Sequence, residues 1–256
     1  MTGLSYRQLL PQSGEVEADS LIGSLDLRGR APAERPYTVV NFAATVEGNV
    51  SIAGRSGAIG DAGDRALFHA LREHVDAVLA GTGTLRAEGY GRILGKPERR
   101  QRRTEAGLSP EPLACVISRS GELPTGIPLF AEPEAEIVVF SPRKTQLDGI
   151  AAVVHPEPYD PAGEHPLAEV MAILRDRYDV RVLLCEGGPT LFASLLRESL
   201  VDELFLTLAP KLSGGDDGPS VTAGQPLREL VELRIRWVLE RDDSLYLRYA
   251  LTGAGR

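Results

Sequence analysis

The most constraining feature of this sequence is an apolar run that ends in a Glu-Gly-Gly-Pro-Thr turn and continues as an amphipathic pattern. Residues 182–185 predict a buried strand. Pro189 predicts the first position of a helix, where its missing N–H has no intrahelical partner anyway. The remaining N–H groups and the helix dipole at such a turn favour a phosphate group. The turn therefore predicts an α/β protein with an anion site at a strand end.

The residues inside this turn indicate what else binds there. Gly187 and Gly188 carry no Cβ, so a bulky group can approach the backbone. Glu186 stands at the carboxyl end of the strand, where open α/β sheets bind ligands. A carboxylate beside a phosphate cradle indicates a nucleotide cofactor next to a reacting substrate. A plain tight turn explains a single glycine motif equally well.

A second turn of the same kind lies earlier in the chain. Residues 76–80 predict a short buried strand, residues 81–84 (Gly-Thr-Gly-Thr) follow it, and residues 85–88 predict a turn of helix. The hydroxyls of Thr82 and Thr84 either donate to phosphate oxygens or cap this helix. Two such turns in one chain fit a dinucleotide better than either does alone.

Length and composition narrow the class of protein. A chain of 256 residues is long enough for one α/β domain with a substantial core. No apolar run approaches ~20 residues, which predicts no membrane span. The start of the chain is acidic and lacks an apolar segment, which argues against a secretory signal and predicts a cytoplasmic protein. A net charge of −8 disfavours nucleic acid as a partner.

Cysteine, histidine and basic residues add little chemistry. Cys115 and Cys185 lie in strand-like runs and are predicted to be buried small hydrophobes. The four histidines show no metal-ligand spacing with them, so we expect no metal. The Lys/Arg cluster at 96–103 lacks apolar periodicity and is predicted to be a solvated loop.

The order of the predicted elements indicates the architecture. Residues 1–36 are predicted to be a partly helical extension, and residues 37–256 the domain. Asp61 is predicted to cap a helix that ends at His74, with Asp64 in the position of a capping box. The other predicted elements are a strand at 37–42, a Gly-rich loop over a site at 43–60, strands at 113–117, 137–140, 151–154 and 203–209, a helix at 167–178, and a hairpin formed by 233–239 and 245–251. This order predicts a mostly parallel mixed sheet flanked by helices, with a C-terminal antiparallel hairpin.

Five ordered segments of the chain resemble the pyrimidine reductase domain of riboflavin biosynthesis. They are residues 41–56, 64–72, 80–88, 186–191 and 200–212. That domain is the C-terminal half of a bifunctional deaminase–reductase and shares the dihydrofolate-reductase fold. The resemblance spans about residues 37–251 and includes no deaminase half, so we expect a stand-alone reductase with a dihydrofolate-reductase-like fold.

The resemblance implies a reaction and a set of site residues. NADPH would reduce a ribosylamine, opened to its imine, to a ribitylamine on a phosphorylated aminopyrimidine, and the protein would be a homodimer. Glu186 matches the catalytic carboxylate that contacts substrate beside the reacting centre. The residues matched to cofactor binding are Ser56, Thr82, Thr84, Glu88, Gly187, Gly188, Pro189, Thr190 and Leu191.

Basic residues have several open assignments. Arg72 matches a substrate-contacting position, and its guanidinium suits a phosphate or carboxylate. A solvated arginine at a helix end is the structural alternative. Arg119, or the pair Arg143 and Lys144, would supply positive charge for the 2′-phosphate of NADPH.

The chain departs from the family pattern at two positions predicted to contact substrate. Glu47 stands where an aspartate is common, and Asn41 stands where the bifunctional enzymes carry a lysine. Asparagine carries no positive charge and donates no proton, so the proton donor is unassigned. Two alternatives therefore stay open: a reductase of dihydrofolate or another pterin, and a non-catalytic nucleotide-binding protein. NADPH oxidation with each substrate separates a pyrimidine reductase from a pterin reductase, and a non-catalytic protein would bind NADPH in calorimetry without turnover.

Overall fold

An eleven-stranded mixed sheet organises the computed structural model, which describes residues 4–52, 54–215 and 218–252. The ends of the predicted extension and domain, residues 1–3 and 253–256, lie outside the described residues. The strands are β1 Ser5–Leu10, β2 Gly14–Glu17, β3 Tyr37–Ala44, β4 Ala77–Gly81, β5 Leu113–Ile117, β6 Glu136–Ser141, β7 Val153–Pro158, β8 Val182–Cys185, β9 Glu203–Leu208, β10 Glu232–Arg241 and β11 Ser244–Thr252. The helices are α1 Ala18–Gly23, α2 Ala62–His74, α3 Thr82–Glu88, α4 Pro97–Glu105, α5 Pro128–Ala131, α6 Pro166–Tyr178 and α7 Pro189–Arg197.

The sheet has a parallel part and an antiparallel part. Its strand order is β2-β1-β10-β11-β9-β3-β8-β4-β5-β6-β7, and the strands from β9 to β7 are parallel. β10 and β11 form the predicted C-terminal hairpin, which pairs antiparallel with β9. Asp242 and Asp243, both at positive φ, make its two-residue turn, as hairpin twist requires. The predicted α/β architecture is therefore confirmed.

Helices cover both faces of the parallel strands. Leu67, Ala70 and Leu71 of α2 pack on one face, and apolar residues of α6 and α7 pack on the other. Strands buried on both faces read as continuous apolar runs, which explains the apolar sequence of β4 and β8. Cys115 and Cys185 are buried and unpaired, as predicted. Among the described residues, no helix combines the length and apolar character needed to cross a membrane.

The N-terminal segment joins this sheet. β1 pairs with β2 and with β10, and α1 packs beside α2. Tyr6 of β1 is buried, and its hydroxyl donates to the Gly63 carbonyl of α2 at 2.7 Å. The division into an extension and a domain stays a prediction.

The Lys/Arg cluster corrects one prediction. Residues 97–105 form α4, so the predicted solvated loop was wrong. Arg99 and Arg102 pair with Glu73 of α2, and Arg103, only 2% exposed, donates to the carbonyls of Glu73 and Val75. Charged side chains, instead of an apolar face, attach this helix to α2. Hydrophobic periodicity does not reveal such contacts.

Candidate active site

The two glycine-rich turns lie side by side at one edge of the sheet. β4 and β8 are adjacent parallel strands, so α3 and α7 both begin at their carboxyl ends. Pro189 is the first residue of α7, as predicted, and Gly188 is its N-cap. A Cβ on Gly188 would lie 3.2 Å from Thr84 Oγ1, so the turns are in direct contact. The predicted strand-end crevice is therefore a single site built by two strands.

A cleft with two lobes opens over these turns. The large lobe measures about 1160 Å³, and the small lobe about 550 Å³. Both lobes are lined by Gly83, Thr84, Gly188 and Pro189. The large lobe also contains Thr82, Arg119, Thr190 and Leu191, and the small lobe contains Asn41, Ser56, Glu88, Arg72 and Glu186. Most of the predicted site residues thus lie along one continuous cleft.

Arg72 and Glu186 meet at the floor of the small lobe. Arg72 Nε and Nη2 donate to the two carboxylate oxygens of Glu186, and Arg72 Nη1 donates to the Ile93 carbonyl. Tyr90 Oη donates to Glu186 at 2.6 Å. Burial, with Glu186 adding to it, raises the pKa of Tyr90 well above its ordinary value, so the phenol stays a donor. The Arg72 guanidinium is therefore not solvated at a helix end; it forms an ion pair with Glu186.

Four other predicted cofactor residues have defined environments. Glu88 accepts hydrogen bonds from the Ser56 N–H and hydroxyl at 2.8 and 2.9 Å. The N-cap of α3 is Gly81 with no side-chain cap, so neither Thr82 nor Thr84 caps this helix. Thr82 lines the large lobe, and Thr84 lines both lobes.

Gly187 is explained by packing. A Cβ at this position would come within 2.5 Å of Leu191 Cδ2, and Gly187 lines neither lobe. Gly187 therefore makes room for the first turn of α7, whereas Gly188 lines both lobes, and the approach of a ligand to Gly188 stays a prediction.

The two residues that depart from the family pattern, Asn41 and Glu47, differ in their position relative to the cleft. Asn41, on β3, lines the small lobe. Glu47 lines neither lobe, and its carboxylate accepts hydrogen bonds from the Ser213 N–H, the Ser213 hydroxyl and the Gly214 N–H. These bonds lower the pKa of Glu47 to about 2, with the Ser213 N–H as the main cause. The Glu47 carboxylate thus holds a surface turn, and its contact with substrate stays a prediction.

Sequence reasoning missed that Asp64 lies in the cleft. Asp61 caps α2 as predicted, with its carboxylate accepting from the Asp64 N–H at 2.8 Å. The Asp64 carboxylate does not complete a capping box; it accepts from Thr207 Oγ1 at 2.7 Å and lines the small lobe. Phe68 lines the same lobe one turn later. The spacing of Asp64, Phe68 and Arg72 was the signal in the sequence that marks this helix face.

Residues 36–245 match the RibD C-terminal domain. The chain belongs to this family. A 2,5-diamino-6-ribosylamino-4(3H)-pyrimidinone 5′-phosphate reductase of Archaeoglobus fulgidus is 31% identical over 75% of this chain and 88% of its own length. The protein of the same name from Methanothermobacter thermautotrophicus is 27% identical over 86% of this chain and its full length. The resemblance read from five sequence segments is confirmed.

Solved structures show the same fold. A pyrimidine reductase-like protein of Corynebacterium diphtheriae superimposes with a TM-score of 0.77 over 93% of this chain and 99% of its own, at 22% identity. The Saccharomyces riboflavin biosynthesis reductase Rib7 gives a TM-score of 0.62 over 85% of this chain and 90% of its own, at 19% identity. The fold of RibD-type reductases is thus shared along nearly the whole chain.

Proposed function

We propose that this RibD-family chain is an NADPH-dependent reductase that converts the ribosylamino group of a phosphorylated aminopyrimidine into a ribitylamino group in riboflavin biosynthesis. The observation that carries the proposal is the contact between the two glycine-rich turns at the junction of the two cleft lobes. The names of its relatives support the reaction class.

The residues present fit a dinucleotide. Single ligand pockets commonly span about 300–1,000 Å³, and the two lobes together exceed this range. The amide groups of Gly188 and Thr190 make no hydrogen bond to described residues, so they are available to a pyrophosphate beside the start of α7. Arg119 lines the large lobe, whereas Arg143 and Lys144 line neither lobe, which favours Arg119 for the 2′-phosphate.

The chain's own residues would orient the substrate. Bound NADPH would supply the hydride. Arg72 and Tyr90 fix the Glu186 carboxylate in one position, while Oε1 accepts only one hydrogen bond from described residues and keeps capacity for another. Such a fixed carboxylate can accept from a substrate hydroxyl or amino group and stabilise positive charge on a protonated imine. Positioning of this kind is the main task of a reductase site.

NADPH oxidation by the full chain tests the proposal. The two phosphorylated ribosylaminopyrimidines, with a 2-amino or a 2-oxo group, and dihydrofolate serve as substrates, and NADH as the alternative cofactor. We expect turnover with a pyrimidine and a preference for NADPH. Turnover with dihydrofolate alone would establish a pterin reductase, and NADPH binding without any turnover would establish a non-catalytic protein. A homodimer stays a prediction, which sedimentation equilibrium measures.

A further inference from the structure

Helix α2 directs three chemically different side chains into the small lobe. Asp64, Phe68 and Arg72 are spaced four residues apart, and all three line this lobe. Arg72 is engaged by Glu186, and its guanidinium carbon lies 4.2 Å from the centre of the Phe68 ring. Arg72 thus covers one face of Phe68, and the Asp64 carboxylate and the rest of the Phe68 ring remain to contact whatever occupies the lobe.

The Asp64 carboxylate is only partly used by the protein. Oδ1 accepts from Thr207 Oγ1, and Oδ2 accepts no hydrogen bond from the residues that the structure describes. A Cβ at position 60 would lie 2.2 Å from Oδ2, so a side chain there would collide with this oxygen, and Gly60 leaves room for it. Burial raises the pKa of Asp64, the Thr207 hydrogen bond opposes this shift, and the charge of Asp61 adds to it. A partly buried carboxylate with unused acceptor capacity calls for donors from a ligand.

A carboxylate is complementary to two neighbouring N–H donors on a planar ring. A 2-amino-4(3H)-pyrimidinone presents such a pair, because its N3–H lies beside its 2-amino group. A uracil presents N3–H beside a carbonyl oxygen, which a carboxylate repels. The phosphate of either substrate is an anion and is also repelled by Asp64.

We propose that Asp64 and Phe68 form the base-recognition subsite and that Asp64 selects a 2-amino-pyrimidinone over the corresponding uracil. In this arrangement Oδ2 accepts from the 2-amino group and Oδ1 from N3–H, while Phe68 contacts the ring. The inference rests on the proposed reductase function and adds the substrate class. A site built to pair with a substrate N–H rejects the analogue that lacks it, because the buried acceptor is left unpaired.

Asp64→Asn gives a result that a structural role cannot mimic. With Oδ1 still accepting from Thr207, the amide NH₂ of asparagine takes the place of Oδ2 and becomes a donor. A donor suits the 2-oxo group of a uracil and opposes a 2-amino group. The substitution should therefore reverse the preference, whereas mere loss of structure would lower both activities together.

The experiment compares kcat/KM for the two substrates in the wild type and in Asp64→Asn. We expect the wild type to favour the 2-amino substrate by about tenfold or more, the value of one hydrogen bond to a charged group, and the variant to favour the uracil. Glu157→Gln is the matched control. Glu157, on β7, is also a buried carboxylate, and it accepts hydrogen bonds from Tyr178 and Arg177 of α6. It lines neither lobe. It should leave the ratio unchanged.

Calorimetry provides a readout that is independent of turnover. The two phosphorylated ribityl products are titrated into each protein without NADPH, and the ratio of their Kd values should reverse in Asp64→Asn. An equal loss for both ligands, or an unchanged ratio, overturns the role of Asp64 while leaving the reductase intact. Turnover of neither pyrimidine by the wild type overturns both proposals.

Discussion

Arg72 and Glu186 form a two-point ion pair, with distances of 2.7 Å from Nε to Oε1 and 2.6 Å from Nη2 to Oε2. Their side chains are 10% and 3% exposed, so both charges are removed from water. The pair joins α2 to the turn after β8, two elements that are distant in sequence. Burial of such a pair stabilises a fold little by itself, but it fixes the direction of Glu186.

The first prediction separates stability from orientation at this pair. Arg72→Met should lower the free energy of unfolding by about 3–5 kcal/mol, because Glu186 is left buried with Tyr90 as its side-chain donor. The double variant Arg72→Met/Glu186→Leu should recover most of that loss, since neither charge then remains. Urea denaturation measures both values. A double variant as unstable as the single one would contradict this account of the pair.

The second prediction concerns the glycines after β8. Gly188 has φ −61° and ψ 173°, a backbone that any residue adopts, so Gly188→Ala should fold. Its new Cβ would press on Thr84 Oγ1 at 3.2 Å, between the two turns. We expect NADPH affinity to fall roughly tenfold, the value of about one hydrogen bond, in calorimetric titration.

Gly187→Ala is the matched comparison for that experiment. Its Cβ would meet Leu191 Cδ2 at 2.5 Å, so it should lower stability by about 1–3 kcal/mol through overpacking. The double variant Gly187→Ala/Leu191→Ala removes the collision. If Gly188→Ala binds NADPH as the wild type does, the proposed cradle at the start of α7 is wrong.

Much of the fold could be predicted because its signals are local. The apolar runs of β4 and β8, the Asp61 cap and the Asp-Asp turn between β10 and β11 each follow from neighbouring residues. The helix α4 could not be predicted in this way. Its buried Arg103 is satisfied by carbonyl groups at the end of α2, about thirty residues away.

The site shows the same division between local and distant contacts. The Gly188-Pro189 turn was identifiable from spacing alone, because a helix N-terminus carries its own chemistry. The mutual engagement of Arg72 and Glu186 was not, because no local pattern indicates which distant carboxylate an arginine meets. The hydrogen bond from Thr207 on β9 to Asp64 could not be predicted either, because the two residues lie far apart along the chain.

The third prediction concerns Arg103. Arg103→Met keeps the aliphatic stem but leaves the carbonyls of Glu73, Val75 and Ser109 without this donor. We expect a loss of stability of about 2–3 kcal/mol by urea denaturation, because buried carbonyls lose their partner. The exposed Arg86 on α3 gives the control: Arg86→Met should stay within about 0.5 kcal/mol of the wild type. Equal effects from the two substitutions would count against a structural role for α4.

The fourth prediction is a pH dependence at Glu47. Hydrogen bonds from Ser213 lower its pKa from 4.5 to about 2, so the ionised carboxylate is bound in the folded protein. A lowered pKa means that this contribution is complete above the unfolded pKa and is lost as pH falls toward about 2. In carbon NMR titrations, the Glu47 carboxyl should stay ionised at a pH where exposed glutamates are already protonated. Ser213→Ala leaves the N–H donor and removes the hydroxyl, so its Glu47 should titrate at a higher pH than the wild type. A Glu47 carboxyl that titrates near 4.5 in the wild type would show that the turn at Ser213 does not hold it.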